Sequence, residues 1–318
     1  MGYLTEKRRG EKIYYYLVEN IPVTKGRRTQ IRKYIGKEKP SETKLQILMS
    51  KFEEDVQKEK IRLHGYHYLT KDEIQEIDMI NKEFWKRYNK QNETVQEQFD
   101  ENFVMAFVFN TNSIEGSTLT AKEVELLLSE NISPNKDLDD VLEAKAAQKT
   151  LNFVKEYKGK LNQEFLLKIH EIYFKDTKTK IAGRYKKYQN KVGGSKFELT
   201  LPEFVLTDMK LYFEEYEKLK KELNPLELAS WAHWKLVRIH PFQDGNGRTA
   251  RIIMNHILHK NGYGMIDIKT KEKQSYFKTL EKCNYNNNAR VLAIRLVRRF
   301  KKQYQNALRE KLSGKRDK

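Results

Sequence analysis

One twelve-residue stretch, His240 to Arg251, holds most of the side chains that could do chemistry; it reads HPFQDGNGRTAR. Gly245 and Gly247 allow a tight loop just before a predicted helix. A helix N-terminus that follows a glycine-rich loop binds anions through its free backbone N–H groups. Arg248 and Arg251 are three residues apart, so a helix places both guanidinium groups on one face, where they suit phosphate oxygens.

Two further side chains of this stretch supply a base and a metal ligand. His240 is the one group there that can accept a proton near neutral pH. Asp244 offers carboxylate oxygens, the ligands that Mg²⁺ prefers. Phosphoryl and nucleotidyl transfer need this combination, because catalysis there depends on positioning and charge neutralisation. The order G-x-x-x-x-G-K-[ST] of a P-loop is absent.

The elements that must position this stretch are predicted to be helices. Apolar spacing predicts helices over Leu226 to Ile239 and Thr249 to Lys260, on either side of the glycines. Helical patterns extend from about residue 71 nearly to the end, and Thr120 to Glu123 has the sequence of a capping box. Gly183 to Pro202 breaks the pattern and predicts an inserted β-hairpin. The fold class is therefore mainly α.

The first 40 residues predict a small β-containing module. Tyr14 to Val18 and Gln30 to Ile35 are β-rich, and Asn20 to Arg28 between them carries a proline and a glycine, as a connection would. A charged helix is predicted over 41–62. We predict a basic N-terminal module with its following helix (1–60), a helical region (61–130), a catalytic core (131–300) and a basic tail (301–318).

Composition limits the class of protein without deciding its function. Lys and Arg outnumber Asp and Glu by 62 to 44, a net charge of +18 that suits polyanionic partners. We expect no membrane span and no secretory signal, because no sufficiently long apolar run is present. Cys283 is the single cysteine. Together these features favour a cytoplasmic protein.

The stretch His240 to Arg251 resembles the signature of the Fic family, H-x-F-x-[DE]-G-N-G-R-x-x-R, at every defined position. The resemblance extends over roughly residues 95–300. It implies a Fic-type helical domain with an inserted β-hairpin flap, and transfer of AMP from ATP to a Ser, Thr or Tyr hydroxyl of a protein. The kinase-like Doc branch usually has Lys where Gly247 stands, so Gly247 favours nucleotidyl transfer.

The resemblance also implies roles for individual residues. His240 would be the general base, and Asp244 would hold Mg²⁺ or Mn²⁺. Gly245, Asn246 and Gly247 would cradle the phosphates, and Arg248 and Arg251 would bind the outer phosphates. The residues implied to contact adenosine are Tyr276 and Asn284. The residues implied to dock the target's backbone, in the flap, are Lys191, Val192, Gly193 and Gly194.

A second motif implies autoinhibition. Thr111 to Gly116 resembles the family's inhibitory motif, [ST]-x-x-x-E-[GN], at the end of a predicted helix beginning near Phe99. A Glu115 carboxylate that reached Arg251 would occupy the guanidinium needed by the γ-phosphate. ATP would then bind with its α-phosphate misaligned for attack.

Several alternatives stay open from the sequence. The same site could remove AMP from a protein, or transfer another phosphate-bearing group such as UMP. The basic, tyrosine-bearing N-terminus could instead make the chain a nucleic-acid-binding regulator. The protein target, with this chain itself as one candidate, and a homodimeric state are not decided by the sequence.

Overall fold

The computed structural model describes residues 2–24, 27–64, 68–190 and 199–309. Within these ranges the chain forms three strands, eleven α-helices and two short 3-10 helices. The chain divides into two compact units, residues 1–72 and 73–318. The mainly helical fold predicted from the sequence is confirmed.

The first unit is an antiparallel sheet in the order β1 (Tyr3–Arg9), β2 (Lys12–Thr24) and β3 (Arg27–Gly36), followed by α1 (Glu42–His64). Leu17 and Ile21 of β2 pack with Phe52 and Val56 of α1 in a buried cluster. Because side chains alternate across a strand, the inner face of the sheet supplies this core.

The opposite face of this sheet, here called the outer sheet face, carries the alternate residues. Its register pairs Lys7 with Tyr14, Thr5 with Tyr16, and Tyr16 with Tyr34. The described side chains at outer positions are Tyr3, Thr5, Lys7, Arg9, Lys12, Tyr14, Tyr16, Val18, Asn20, Gln30, Arg32 and Tyr34.

The connection predicted from Asn20 to Arg28 is wrong, because it is shorter in the structure. Strand β2 continues through Pro22 to Thr24, and Pro22 pairs with Arg28. Strand β1 pairs with β2 only as far as Val18, so one side of β2 has no partner strand at Pro22. A proline, which lacks the N–H that a second partner would require, is tolerated there.

The second unit contains the remaining helices. Their bounds are α2 (Lys71–Tyr88), α3 (Glu93–Glu115), α4 (Ala121–Ser129), α5 (Leu138–Glu156), α6 (Gln163–Phe174), α7 (Val205–Leu219), α8 (Pro225–Ile239), α9 (Asn246–Lys260), α10 (Lys273–Asn286) and α11 (Arg290–Arg309). Residues of the predicted site lie on α3, α9 and α10, and His240 directly follows α8. In the part of the chain that the structure describes, no helix has both the length and the apolar character that a membrane span requires.

Local sequence signals account for several helix ends in this unit. Thr120 and Glu123 form the predicted capping box at the start of α4. Asn224 and Glu227 form another at α8, with Pro225 at the first helical position, where its missing N–H costs nothing. Helices α8 and α9 pack together and bury almost every residue of α9 from Thr249 to Leu258. The glycine-rich loop is thus fixed between two core helices.

Candidate functional site

The loop from His240 to Gly245 is defined by two residues in the left-handed backbone region. His240 ends α8 with φ 55°, and Gly245 precedes α9 with φ 77°. A Cβ atom on Gly245 would lie 2.2 Å from the ring of Phe174, so only glycine fits there. A histidine with positive φ is strained, and such strain is typical of functional sites.

The loop is also held by the Asn246 side chain and by the buried Phe242 ring. The Asn246 side chain accepts a hydrogen bond from the Phe242 N–H at 2.9 Å and donates one to the Phe242 carbonyl at 2.8 Å. Phe242 is fully buried and stacks on His170 at 3.8 Å. The Asn246 side chain therefore closes the loop and is not placed to contact phosphate, contrary to the role that the sequence analysis gave it. Its backbone N–H, in the first turn of α9, keeps that role.

His170 supports the loop from α6 and was not singled out from the sequence. Its Nδ1 accepts the N–H of Gly183 at 3.0 Å, so Nε2 carries the proton and donates to the Asp244 carbonyl at 3.0 Å. Burial lowers the pKa of His170 to about 4. This imidazole is therefore a neutral bridge between two loops, and no short motif surrounds it that could have revealed this role.

His240 is set up as a base. Its Nδ1 lies 3.2 Å from the Val237 carbonyl, which can only accept, so Nδ1 carries the proton and Nε2 has a free lone pair. Burial, with a smaller contribution from nearby Lys186, lowers the pKa of His240 to about 4, although the hydrogen bond to the Val237 carbonyl acts in the opposite direction. The imidazole is thus neutral at physiological pH and able to take a proton from a hydroxyl.

Asp244 is the loop's exposed carboxylate. Its side chain is 48% exposed, and Oδ2 lies 2.9 Å from the Lys178 ammonium. Burial alone would raise the pKa of Asp244, but Arg248, Lys178 and the Gly245 N–H outweigh it and lower that pKa. The ionised, accessible carboxylate fits a Mg²⁺ or Mn²⁺ ion that takes its other ligands from phosphates and water. Among the described residues, no group of three or more His, Cys, Asp or Glu side chains could hold a metal.

Arg248 is placed differently from the expectation that it binds outer phosphates. Its guanidinium is buried, pairs with the Glu143 carboxylate and lies 4.6 Å from the Phe174 ring centroid. Glu143 also binds the Lys178 ammonium at 2.6 Å. Because Glu143 lies 105 residues from Arg248 in the sequence, no spacing rule could have identified it. The structure therefore makes Arg248 part of a buried network that holds Asp244 and Lys178.

Arg251 faces the free backbone N–H groups in the first turn of α9, which are here called the anion nest. Its side chain is buried, with Nε donating to Thr111 Oγ1 at 2.8 Å and Nη2 to the Thr111 carbonyl at 3.0 Å. The same Nη2 donates to Glu115 Oε1 at 2.7 Å. Thr111 and Glu115 are four residues apart in α3, so one helix face supplies both partners.

The Glu115 carboxylate lies directly over the first turn of α9. A Cβ atom on Gly247 would lie 2.5 Å from Glu115 Oε1 and 3.2 Å from Arg251 Nη1. A carboxylate in contact with a helix N-terminus and a guanidinium occupies the position that suits a phosphate. The contact predicted between Glu115 and Arg251 is therefore present, and its consequence for activity is taken up below.

The two residues predicted to contact adenosine are less suited to that role. Tyr276 is fully buried, and its hydroxyl lies 2.8 Å from His233 Nε2, so its ring belongs to the core. The adenosine contact of Tyr276 stays a prediction. Asn284 is partly exposed, but its Oδ1 accepts a hydrogen bond from Trp234 Nε1 at 2.8 Å, which leaves only its amide N–H groups.

The predicted docking residues Lys191, Val192, Gly193 and Gly194 lie outside the described residues. The segment before them contacts the loop. The Lys186 N–H donates to the Pro241 carbonyl at 2.8 Å, and Asn190 Nδ2 donates to the Phe242 carbonyl at 3.1 Å. The segment Arg184–Asn190 is therefore fixed beside His240.

Fold and site together define a helical domain with a basic, glycine-rich anion-binding loop. Residues 160–258 match the Fic/DOC family. Among solved structures, the chain is similar to a Fic-domain-containing signaling protein from Bacteroides thetaiotaomicron, with 28% identity and a TM-score of 0.66, over 76% of this chain and 99% of that one. Fic-1 (residues 134–508) from Caenorhabditis elegans shares the fold, with 21% identity and a TM-score of 0.65 over 85% and 77%.

Curated relatives match over a shorter region. Protein adenylyltransferase fic-1 from Caenorhabditis elegans is 29% identical over 185 residues, which are 56% of this chain and 36% of that protein. Protein adenylyltransferase Fic from Nematostella vectensis is 30% identical over 184 residues, which are 56% and 43% of the two proteins. The matches thus span less than half the length of these two relatives.

Proposed function

We propose that this chain is a protein adenylyltransferase that moves AMP from ATP to a protein hydroxyl. One observation carries the proposal: a neutral His240 with a free Nε2 lies at the edge of an anion nest formed by α9 and Arg251. The names of the curated relatives support the same activity.

The reaction follows from this arrangement. The target's hydroxyl oxygen forms a bond to the α-phosphorus of ATP, and the bond from that phosphorus to the bridging oxygen of the β-phosphate breaks. The hydroxyl proton passes to Nε2 of His240, and pyrophosphate leaves. The first-turn N–H groups of α9 and the Arg251 guanidinium hold the phosphates. A Mg²⁺ ion, held by Asp244 and by phosphate oxygens, neutralises charge when it is bound.

We further propose that Glu115 restrains this reaction. The Glu115 carboxylate fills the space between Gly247 and Arg251 that an outer phosphate of ATP needs. ATP must either displace this carboxylate or bind with its phosphates shifted, and a shifted α-phosphate is poorly aligned for attack. The absence of a side chain at Gly247 leaves room for this carboxylate, because a Cβ atom there would lie 2.5 Å from Glu115 Oε1.

The proposal is tested with the full chain and Mg²⁺, using ATP labelled on either the α- or the γ-phosphate. The variants are Glu115→Gly and Glu115→Gly with His240→Asn. Asparagine is chosen because it adopts the left-handed backbone of position 240 while lacking a base. Protein-bound α-label that depends on His240 supports AMP transfer. Bound γ-label without α-label would show a kinase instead.

Removal of AMP from a protein is the second candidate function of this site. The position of the Glu115 carboxylate favours it, because this carboxylate lies against the anion nest. The test uses the α-labelled protein from the Glu115→Gly reaction as substrate. Release of labelled AMP by the wild-type chain, but not by Glu115→Gly, would support removal by this carboxylate. Stable label with both proteins would exclude it for that substrate.

A further inference from the structure

The outer sheet face of the first unit carries four exposed cations and, at its described positions, no acidic residue. Its described residues include the exposed cations Lys7, Arg9, Lys12 and Arg32. None of the described residues at outer positions is Asp or Glu. Of the acidic residues in these strands, Glu6 and Glu19 lie at inner positions by register. This face therefore suits a polyanion.

The same face carries an ordered row of hydrogen-bonding side chains. Arg32 Nη2 donates to Gln30 Oε1 at 2.7 Å, and Gln30 Nε2 donates to Asn20 Oδ1 at 3.1 Å. All three residues are exposed. Arginine, glutamine and asparagine are the side chains that pair with the major-groove edges of guanine and adenine. The row thus has the chemistry of base recognition, and the cations of β1 and β2 have that of phosphate contact.

Three tyrosines of this face pack against one another, and one of them also contacts Arg32 of the row. The Tyr34 ring lies 5.4 Å from that of Tyr16 and 6.2 Å from that of Tyr14, with the rings tilted against each other. The Arg32 guanidinium lies 5.6 Å from the Tyr16 ring centroid. Tyr14 and Tyr16 are partly exposed, and Tyr34 is 51% exposed.

The dimensions of the sheet agree with a duplex partner. Neighbouring strands lie about 5 Å apart, so β2 and β3, which carry the row, form a two-stranded ribbon. The major groove of B-DNA is about 12 Å wide and admits a two-stranded β-ribbon. From charge, row and width together, we propose that the outer sheet face binds double-stranded DNA through its major groove. This site is distinct from the loop at His240 and does not depend on the adenylyltransferase proposal.

The test uses the full chain and a fluorescein-labelled DNA duplex of mixed sequence, with binding followed by anisotropy between 50 and 200 mM salt. The outer-face variant is Arg9→Gln with Lys12→Gln and Arg32→Gln. Because the chain carries a net charge of +18, the matched control removes three exposed charges from the second unit: Lys122→Gln, Lys145→Gln and Lys168→Gln. Circular dichroism and thermal melting check that both variants are folded.

We expect the outer-face variant to bind the duplex at least about tenfold more weakly than the control variant. The slope of log affinity against log salt should fall by about 2 to 3, since each lost phosphate contact contributes about 0.9. Equal losses in the two variants would overturn the proposal, as would the absence of duplex binding by the wild type. Tighter binding to single-stranded DNA or RNA of the same sequence would overturn the choice of a duplex.

A second variant distinguishes base recognition from simple charge attraction. Gln30→Ala with Asn20→Ala removes two amides of the row and no charge. If the row contacts bases, duplexes selected by the wild-type chain from a random pool should lose their advantage over mixed sequence in this variant. A wild-type chain that selects no sequence, or a variant that keeps the preference, would contradict a role for the row.

Discussion

Glu115 and Arg251 lie 136 residues apart in the chain, and Glu115 Oε1 accepts a hydrogen bond of 2.7 Å from Arg251 Nη2. The arginine is buried and anchored by Thr111, while the Glu115 side chain is 31% exposed. The guanidinium is therefore the fixed member of the pair, and the carboxylate is the member that can leave. An incoming phosphate can replace the carboxylate without moving Arg251.

This asymmetry predicts opposite effects of Glu115→Gly on the free and the nucleotide-bound protein. Without ATP, the free energy of unfolding should fall by about 1–3 kcal/mol, since Arg251 loses its counter-charge in a pair that solvent partly screens. With saturating Mg²⁺ and ATP, the melting temperature should rise more in the variant than in the wild type. Thermal melts with and without nucleotide measure both effects.

The matched control for this prediction is Glu130→Gly, which changes an exposed glutamate at the end of α4. Its response to ATP should equal that of the wild type. An equal ATP-induced shift in Glu115→Gly and the wild type would show that the carboxylate does not compete with the nucleotide.

The buried histidines predict that acid destabilises the fold well above the range in which carboxylates titrate. Burial lowers the pKa of His170, His240 and His256 to about 4, and that of His233 to about 3. Between pH 6.5 and 5 the unfolded chain therefore binds protons that the folded chain does not. The free energy of unfolding should fall by at least about 1 kcal/mol for each unit that the pH is lowered. Urea unfolding at several pH values tests this, and a constant stability from pH 7 to 5 would contradict it.

The buried pair of Arg248 and Glu143 predicts a structural role for that glutamate. Glu143→Gln should lower the free energy of unfolding by about 3 kcal/mol, because the buried Arg248 guanidinium and the Lys178 ammonium lose their shared carboxylate. The control is Glu125→Gln, which removes an exposed pair with Lys122 and should change stability by less than about 0.5 kcal/mol. Similar urea midpoints for the two variants would show that the Glu143 network adds little.

The loop glycine predicts a difference between two substitutions that carry the same backbone strain. Gly245 and Gly262 both have positive φ, but only Gly245 has a neighbour, the Phe174 ring, within reach of a Cβ atom. Gly245→Ala should therefore destabilise the protein by about 2 kcal/mol more than Gly262→Ala. Chemical denaturation of both variants provides the comparison. Equal losses would mean that the contact with Phe174 relaxes freely.

Elements with strong local signals were predictable from the sequence. Helix α8 begins one residue before the predicted Leu226 and ends at the predicted Ile239, and the Thr120 capping box is present, because caps and apolar spacing act within a few residues. Strand β1 was not predicted. Strand β1 packs a single apolar inner residue, Leu4, against the core, and its last four residues are charged, so its sequence lacks clear alternation.

Site residues were predictable where a motif is contiguous and not where the site depends on distant contacts. The contiguous motif predicted a loop followed by a helix, and the structure places four of its residues there: His240, Gly245, Gly247 and Arg251. Glu143 and His170 were missed, because their roles arise from packing of α5 and α6 against the loop. The burial of Tyr276 was also not predictable, since nothing in the sequence distinguishes a core tyrosine from one beside a ligand.

The central claim is that His240 and Glu115 drive and restrain AMP transfer at one site. The most direct measurement is the amount of α-label from ATP that becomes covalently bound to protein with the wild type, Glu115→Gly, and Glu115→Gly with His240→Asn, in the presence of Mg²⁺. Each is assayed alone and with added proteins from a cell extract. We predict little label with the wild type, at least about tenfold more with Glu115→Gly, and a return to background in the double variant. Equal labelling by the single and double variants would contradict the account.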